Sequence, residues 1–185
     1  MSIPVQKIQK AISDITGGNM QFKRTIIFIS NIIFFFVIAN FLKYLLVNNG
    51  LGKELFRTNS FIAYAPLKNT GAAFGLFQNT SFILFILAVL IVLGIIVYVF
   101  TNKLYIKEFR LNLMSVLCAG ILGNALERCF YGYVLDYIKI RAWDFPVFNL
   151  NDIMISVSAV ILIIGYIIQK RDEEQNDREV DEDIY

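Results

Sequence analysis

Charged side chains are absent from four long stretches of this chain: residues 25–42, 69–102, 111–126 and 153–169. The second is most apolar from residue 82 to residue 100. A charge near the centre of a bilayer costs about 2.5–3.5 kcal/mol on insertion scales, so long uncharged runs predict membrane helices. Crossing takes about 20 mostly apolar residues. The first stretch reaches that length by continuing past Lys43 to Val47. The third and fourth fall slightly short, which puts the charges at their ends at headgroup level. The pattern predicts an all-α membrane protein with four transmembrane helices, over about 25–47, 81–101, 110–127 and 152–170, within one domain of residues 25–170.

The connections set the expected orientation. Residues 1–24 carry Lys7, Lys10, Lys23 and Arg24 and a Gly17-Gly18-Asn19 break. They have no apolar core of their own, so no cleavable signal peptide is expected there. Residues 103–110 hold three basic side chains, and Lys170 and Arg171 follow the last span. Residues 48–80 and 127–151 are longer and less basic for their length. The excess of Lys and Arg on the short side places both termini in the cytoplasm and the two long connections outside. Residues 171–185 form an acidic tail expected to be disordered. In the first outer connection, residues 61–67 have strand character and Asn69-Thr-Gly71 reads as a turn. Residues 145–148 are expected to form another short strand. A small outer subdomain resting on the helices is expected over about 48–80, with a second outer loop over about 128–151.

Composition narrows the chemistry. Apolar residues make up 57% of the 185, charged residues 17%, and the mean hydropathy is +0.60, which excludes a disordered or collagen-like chain. A net charge of +2 without a basic stripe argues against nucleic acid. There is no histidine, which removes Ser–His–Asp and Cys–His nucleophile systems and histidine zinc motifs. Cys118 and Cys129 are too few for a disulfide framework. No cofactor or metal is implied, and acid–base work falls to carboxylates, lysines or tyrosines.

The outer acids are Glu127, Asp136, Asp144 and Asp152. Sixteen helical residues after Arg110 span about 24 Å, which carries Glu127 and Arg128 to the outer interface. The fourth span runs inward from Asp152, so Asp136 and Asp152 return to one depth. Two carboxylates in a poorly hydrated site share a proton. Such a pair can activate water and protonate a leaving amine without histidine or metal. Simpler roles stand beside this one. Asp152 or Asn149 caps the following helix, Asp136 pairs with Lys139 or Arg141, and Lys43 snorkels to the interface. Gly120 and Gly123 serve helix packing, Asn124 and Arg128 share a helix face at i,i+4, and Tyr98 and Tyr105 anchor at the interface. A small channel or transporter and a non-catalytic membrane scaffold are the competing functions.

Three blocks resemble bacterial lipoprotein signal peptidase, the type II signal peptidase family. They are Asn69-Thr-Gly-Ala-Ala-Phe-Gly75; Gly120-Ile-Leu-Gly-Asn-Ala-Leu-Glu-Arg128 with Gly132-Tyr-Val-Leu-Asp136-Tyr-Ile138; and Phe148-Asn-Leu-Asn-Asp152. Order, spacing and four-span layout all fit over residues 25–170. The resemblance implies an intramembrane aspartyl endopeptidase that removes signal peptides from prolipoproteins before a diacylglyceryl-modified cysteine. It implies Asp136 and Asp152 as catalytic acids, and Asn69, Gly71, Asn124, Arg128 and Asn149 as residues that line the site and position substrate. Lys43 and Gly123 are implied in support, and the outer subdomain as a small β-cradle with a short helix. The implied setting is the bacterial cytoplasmic (inner) membrane, with the site at its outer face. The implied partners are the prolipoprotein signal peptide, membrane lipid and globomycin-type inhibitors, met by a monomer.

The sequence departs from that pattern at three places. Ala39 stands where the first span usually carries an acid, one turn before Lys43. Glu127 replaces the usual Asp before Arg128. Asn151 replaces a small residue before Asp152.

Overall fold

The computed structural model describes the backbone of residues 5–57, 61–72, 76–101, 106–141 and 145–182, and within these the side chains from Phe22 to Asn176 and of Arg178. Gly75, Tyr105 and Asp144 lie outside the described residues. The elements in chain order are α1 (Val5–Val47), α2 (Leu51–Leu55), β1 (Ile62–Asn69), α3 (Ser81–Thr101), α4 (Glu108–Tyr131), β2 (Val134–Ile140) and α5 (Leu150–Glu182). Four of the helices contain segments long and apolar enough to cross a membrane: Phe22–Val47, Ser81–Thr101, Glu108–Tyr131 and Leu150–Asn176. The chain is a multi-pass membrane protein.

The helices are arranged around α4, which packs against α1, α3 and α5. It is the least apolar of the four, yet 44% of its membrane window is buried inside the molecule against 11% for each of the others. That ordering is what a lipid solvent dictates. Large apolar side chains of α1, α3 and α5, such as Phe34, Leu90 and Ile163, face outward, because hydrocarbon receives them as readily as a protein core would. The inward face of α4 is built instead from small and polar residues: Ser115, Ala119, Gly120, Gly123 and Asn124. Small residues let backbones approach closely. A Cβ added at Gly120 would lie 2.8 Å from the carbonyl oxygen of Asn151 on α5. Phe28, Val92, Val99, Ile106, Leu111 and Cys118 form an apolar core between α1, α3 and α4.

At one end of the bundle β1 and β2 pair antiparallel, with Asn69 opposite Val134, Leu67 opposite Asp136 and Ile62 opposite Ile140. The register shifts between Tyr64 and Leu67, around Pro66, which has no N–H for the ladder. The expected strand at residues 145–148 does not form. Phe148 makes an isolated bridge to Ile138, while the true partner of β1 is 134–140. The sheet therefore draws on both connections between spans, not on residues 48–80 alone. Gly132, at φ 75°, ends α4 in a left-handed turn and returns its N–H to the Arg128 carbonyl at 3.1 Å. Glycine takes that conformation without steric cost.

Two further expectations are corrected. The backbone stays helical through Gly17-Gly18-Asn19, since a glycine inside a helix costs only about 1 kcal/mol. The acidic tail does not begin as disordered chain: α5 runs on to Glu182. The membrane span has already met the cost of nucleating this helix, and i,i+4 contacts continue it, with Gln169 donating to Glu173 at 2.6 Å and Lys170 lying 3.7 Å from Glu174.

Candidate active site

The end of the bundle that carries the sheet gathers polar side chains from five segments. β2 supplies Asp136, whose side chain is 1% exposed although the strand joins two surface turns. Its carboxylate receives Asn69 Nδ2 on Oδ2 at 3.0 Å and Asn149 Nδ2 on Oδ1 at 2.7 Å. Among the described residues it has no ion pair with Lys139 or Arg141. Burial pushes the Asp136 carboxyl up to about 6, and the nearby Asp152 adds to the rise, while the amides of Asn69 and Asn149 and the Arg128 guanidinium hold it down. Burial likewise raises the phenol of Tyr137, whose oxygen accepts from the Leu150 N–H at 3.4 Å.

Asp152 stands in the first turn of α5 and closes a reciprocal cap with Asn149. The Asn149 N–H donates to Asp152 Oδ2 at 3.0 Å, and the Asp152 N–H donates to Asn149 Oδ1 at 3.1 Å. This is a capping box in which Asn149 precedes the helix and Asp152 is its third residue. The carboxylate that closes the cap is also the one that lines the cavity described below. Its remaining oxygen, Oδ1, accepts Asn124 Nδ2 at 2.7 Å. Asn149 is bonded to both acids: its oxygen to the Asp152 backbone, its amide nitrogen to the Asp136 carboxylate.

Asn69 is oriented by its own turn. The Gly71 N–H donates to Asn69 Oδ1 at 3.0 Å, which leaves Nδ2 free to face Asp136. Gly71 is buried against the returning loop, and a Cβ there would lie 2.4 Å from the Leu76 carbonyl oxygen. Arg128 ties this turn to α4, with Nη2 donating to the Gly71 carbonyl at 2.9 Å and Nη1 to that of Asn124 at 3.4 Å. Its Nε is buried without a hydrogen-bond partner.

Lys43 does not snorkel. It turns inward to form an ion pair with Glu127, and Glu127 Oε2 also accepts the Leu135 N–H at 2.9 Å. The acid before Arg128 thus joins α1 to the strand that carries Asp136. The sequence marked Glu127 as an outer acid and as a departure from a pattern, without its partners; it marked Asn151, which donates to Asn124 Oδ1 at 3.2 Å, only as a departure.

A cavity of about 1070 Å³ opens beside these groups, with Asn69, Arg128, Asp136 and Asp152 in its wall. Ile153 and Val157, on the outward face of α5, line it too and are 38% and 53% exposed, so it is open toward the membrane flank. The structure brings Asn69, Gly71, Asn124, Arg128, Asp136, Asn149 and Asp152 into one connected set. Lys43 and Gly123 stand one contact further out. Among the described residues no cluster of three or more Asp, Glu or Cys side chains could hold a metal ion.

Comparison with known proteins adds an independent finding. The family model described as Signal peptidase (SPase) II matches residues 26–168. The chain is similar to the lipoprotein signal peptidase of Chlamydia pneumoniae, 36% identical over 113 residues, which covers 60% of this chain and 67% of that protein. It is similar to that of Wigglesworthia glossinidia brevipalpis, 37% identical over 135 residues, covering 71% of this chain and 88% of that protein. It also resembles a solved bacterial membrane enzyme, with a TM-score of 0.63 and 26% identity over 79% of this chain and 90% of that one.

Proposed function

The chain belongs to the signal peptidase II family, and from that premise we propose that it removes signal peptides from bacterial prolipoproteins as an intramembrane aspartyl peptidase. One observation supports the aspartyl chemistry above others. Two acids from different elements, Asp136 and Asp152, are joined through Asn149 and face one cavity whose lining includes the exposed apolar side chains of Ile153 and Val157.

In this reading the signal peptide enters from the membrane flank past Ile153 and Val157, which suits a substrate that carries a diacylglyceryl cysteine. The ionised aspartate takes a proton from water, and the oxygen of that water attacks the scissile carbonyl carbon. The protonated aspartate donates to the carbonyl oxygen as negative charge develops there. The intermediate collapses with cleavage of the C–N bond: the leaving amine of the modified cysteine takes the proton that the first aspartate removed from water, and the second aspartate recovers its proton as the carbonyl reforms. Asn69, Asn124 and Asn149 keep both carboxylates oriented without supplying a titrating group of their own. The buried, unpartnered Arg128 Nε is a donor left over for substrate backbone. The bias of basic residues supports an orientation with both termini in the cytoplasm and the cavity at the outer face.

The test is cleavage of a purified diacylglyceryl-modified prolipoprotein in detergent, read as a gel shift. Wild type should cleave and be blocked by globomycin, while Asp136→Asn and Asp152→Asn should each lose at least about a thousandfold in rate yet keep their helical signal. Full activity in either variant would overturn the aspartyl mechanism.

A further inference from the structure

The first turn of α5 holds a polar side chain that no step above uses. Asn151 is 5% exposed, and its carboxamide lies across α4 at Gly123. A Cβ added to Gly123 would sit 2.5 Å from Asn151 Nδ2 and 2.7 Å from Oδ1, so only a glycine admits the amide. From that seat Nδ2 reaches Asn124 Oδ1 at 3.2 Å, and Asn149 Nδ2 reaches the same oxygen at 3.3 Å. A carboxamide oxygen has two lone pairs, and both are now engaged. Asn124 Nδ2 is thereby turned to Asp152 Oδ1 at 2.7 Å. The reversed amide would set oxygen against the carboxylate and NH₂ against two NH₂ groups.

Asn151 is not there for its own satisfaction. Its Oδ1 is buried with no hydrogen-bond partner, a loss of about 1–3 kcal/mol that an apolar side chain of the same size would avoid. What asparagine adds at this position is the donor. The small residue that the family resemblance implies here would leave Asn124 Oδ1 with the longer contact from Asn149 alone.

We propose that Asn151 is a positioning residue of the aspartate pair: from the space that Gly123 leaves open it fixes the amide of Asn124, and through Asn124 the Asp152 carboxylate. Its link to turnover rests on the aspartyl reading above, but its effect on Asp152 does not. Donation to a carboxylate favours the charged form, so a loosened Asn124 lets the pair keep its shared proton to higher pH. The charged groups facing Asp152 are Arg128 and Glu127 on α4 and Asp136 on β2, with Lys43 of α1 engaged by Glu127. The hydrogen bond of Asn151 goes to none of them.

The experiment compares the full chain in detergent as wild type, Asn151→Leu, Asn151→Ala, Asn124→Ala and the Asn124→Ala/Asn151→Leu double variant. Two readouts are taken: kcat and KM on a diacylglyceryl prolipoprotein, and the infrared carboxyl titration of the pair, isolated by subtraction of Asp152→Asn. Asn151→Leu, which fills the space but cannot donate, should lower kcat about three- to tenfold with KM changed less than about twofold. It should also raise the titration midpoint, and it should add nothing in the Asn124→Ala background. Asn151→Leu indistinguishable from wild type in both readouts, with only Asn151→Ala losing thermal stability, would make the residue a space filler and overturn the proposal. Additive effects of the two substitutions would overturn it as well. If wild type cleaved nothing, the hydrolytic reading would fall, and the infrared shift would still decide the positioning role by its presence or absence.

Discussion

Asn149 shows how closely folding and chemistry are joined in single side chains here. It caps α5, and it is bonded to both acids. The two roles can be separated by experiment. Asn149→Ala should lose about 1 kcal/mol of stability with the cap, together with cleavage. Asn149→Ser retains a capping oxygen but is too short to reach Asp136, so it should recover thermal stability and leave cleavage impaired. Equal recovery of both would show that the bridge to Asp136 is dispensable. Asp136 itself makes stability depend on pH in a sense opposite to most aspartates. Burial raises its carboxyl from 3.8 to about 6 in the folded chain, so the native state binds the proton more tightly than the unfolded one. Its contribution is complete below about pH 4 and is lost as pH rises to about 6, by roughly 3 kcal/mol at 1.36 kcal/mol per unit. Asp136→Asn should therefore flatten the fall in melting temperature across that window. An unchanged pH dependence would mean that the carboxyl is solvated.

Among the elements, the spans were legible in the sequence because their signal is simple: a bilayer forbids charge, and four stretches have none. The partner strand was not. Residues 134–140 are covered on both sides, with Val134, Asp136, Tyr137 and Ile138 all buried, so the alternation that marks a half-exposed strand is missing. The cap at Asn149 and Asp152 could be read from local spacing, as could the turn at Asn69 and Gly71. The bonds from Asn149 to Asp136 and from Asn151 to Asn124 could not, since they join separate elements and neither is a pairing of opposite charges. Nor could the sequence tell that Lys43 turns inward. Its ion pair with Glu127 holds α1 to β2 through the Leu135 N–H. Breaking one side of a largely buried pair strands the other charge, so Lys43→Met should cost about 3 kcal/mol, whereas Lys43→Met with Glu127→Gln, which removes the charge but keeps an acceptor for the Leu135 N–H, should return much of it. Denaturation of both variants in detergent measures this, and equal losses would mean that the pair is hydrated.

At the scale of the whole molecule, the two native cysteines report orientation without engineering. Cys129 is exposed near the sheet end of α4, and Cys118 is buried in the core below it. If the cavity faces outward, a membrane-impermeant maleimide should label Cys129 in intact cells, and Cys129→Ser should abolish the signal. Labelling that requires lysis would reverse the orientation proposed from the basic residues.

The low apolarity of α4 has a consequence for how the protein is made. Three of the spans are strongly apolar, and α4 is the least so of the four. The third to emerge carries Asn124, Glu127 and Arg128, and four of the six residues this trio bonds to elsewhere are synthesised only afterwards: Leu135 on the next strand, and Asn149, Asn151 and Asp152 at the start of α5, against Lys43 and Gly71 before it. A nascent chain that stops short of Leu150 holds a marginal helix with its polar groups stranded. The polar face of α4 is thus completed only once the start of α5 has been made.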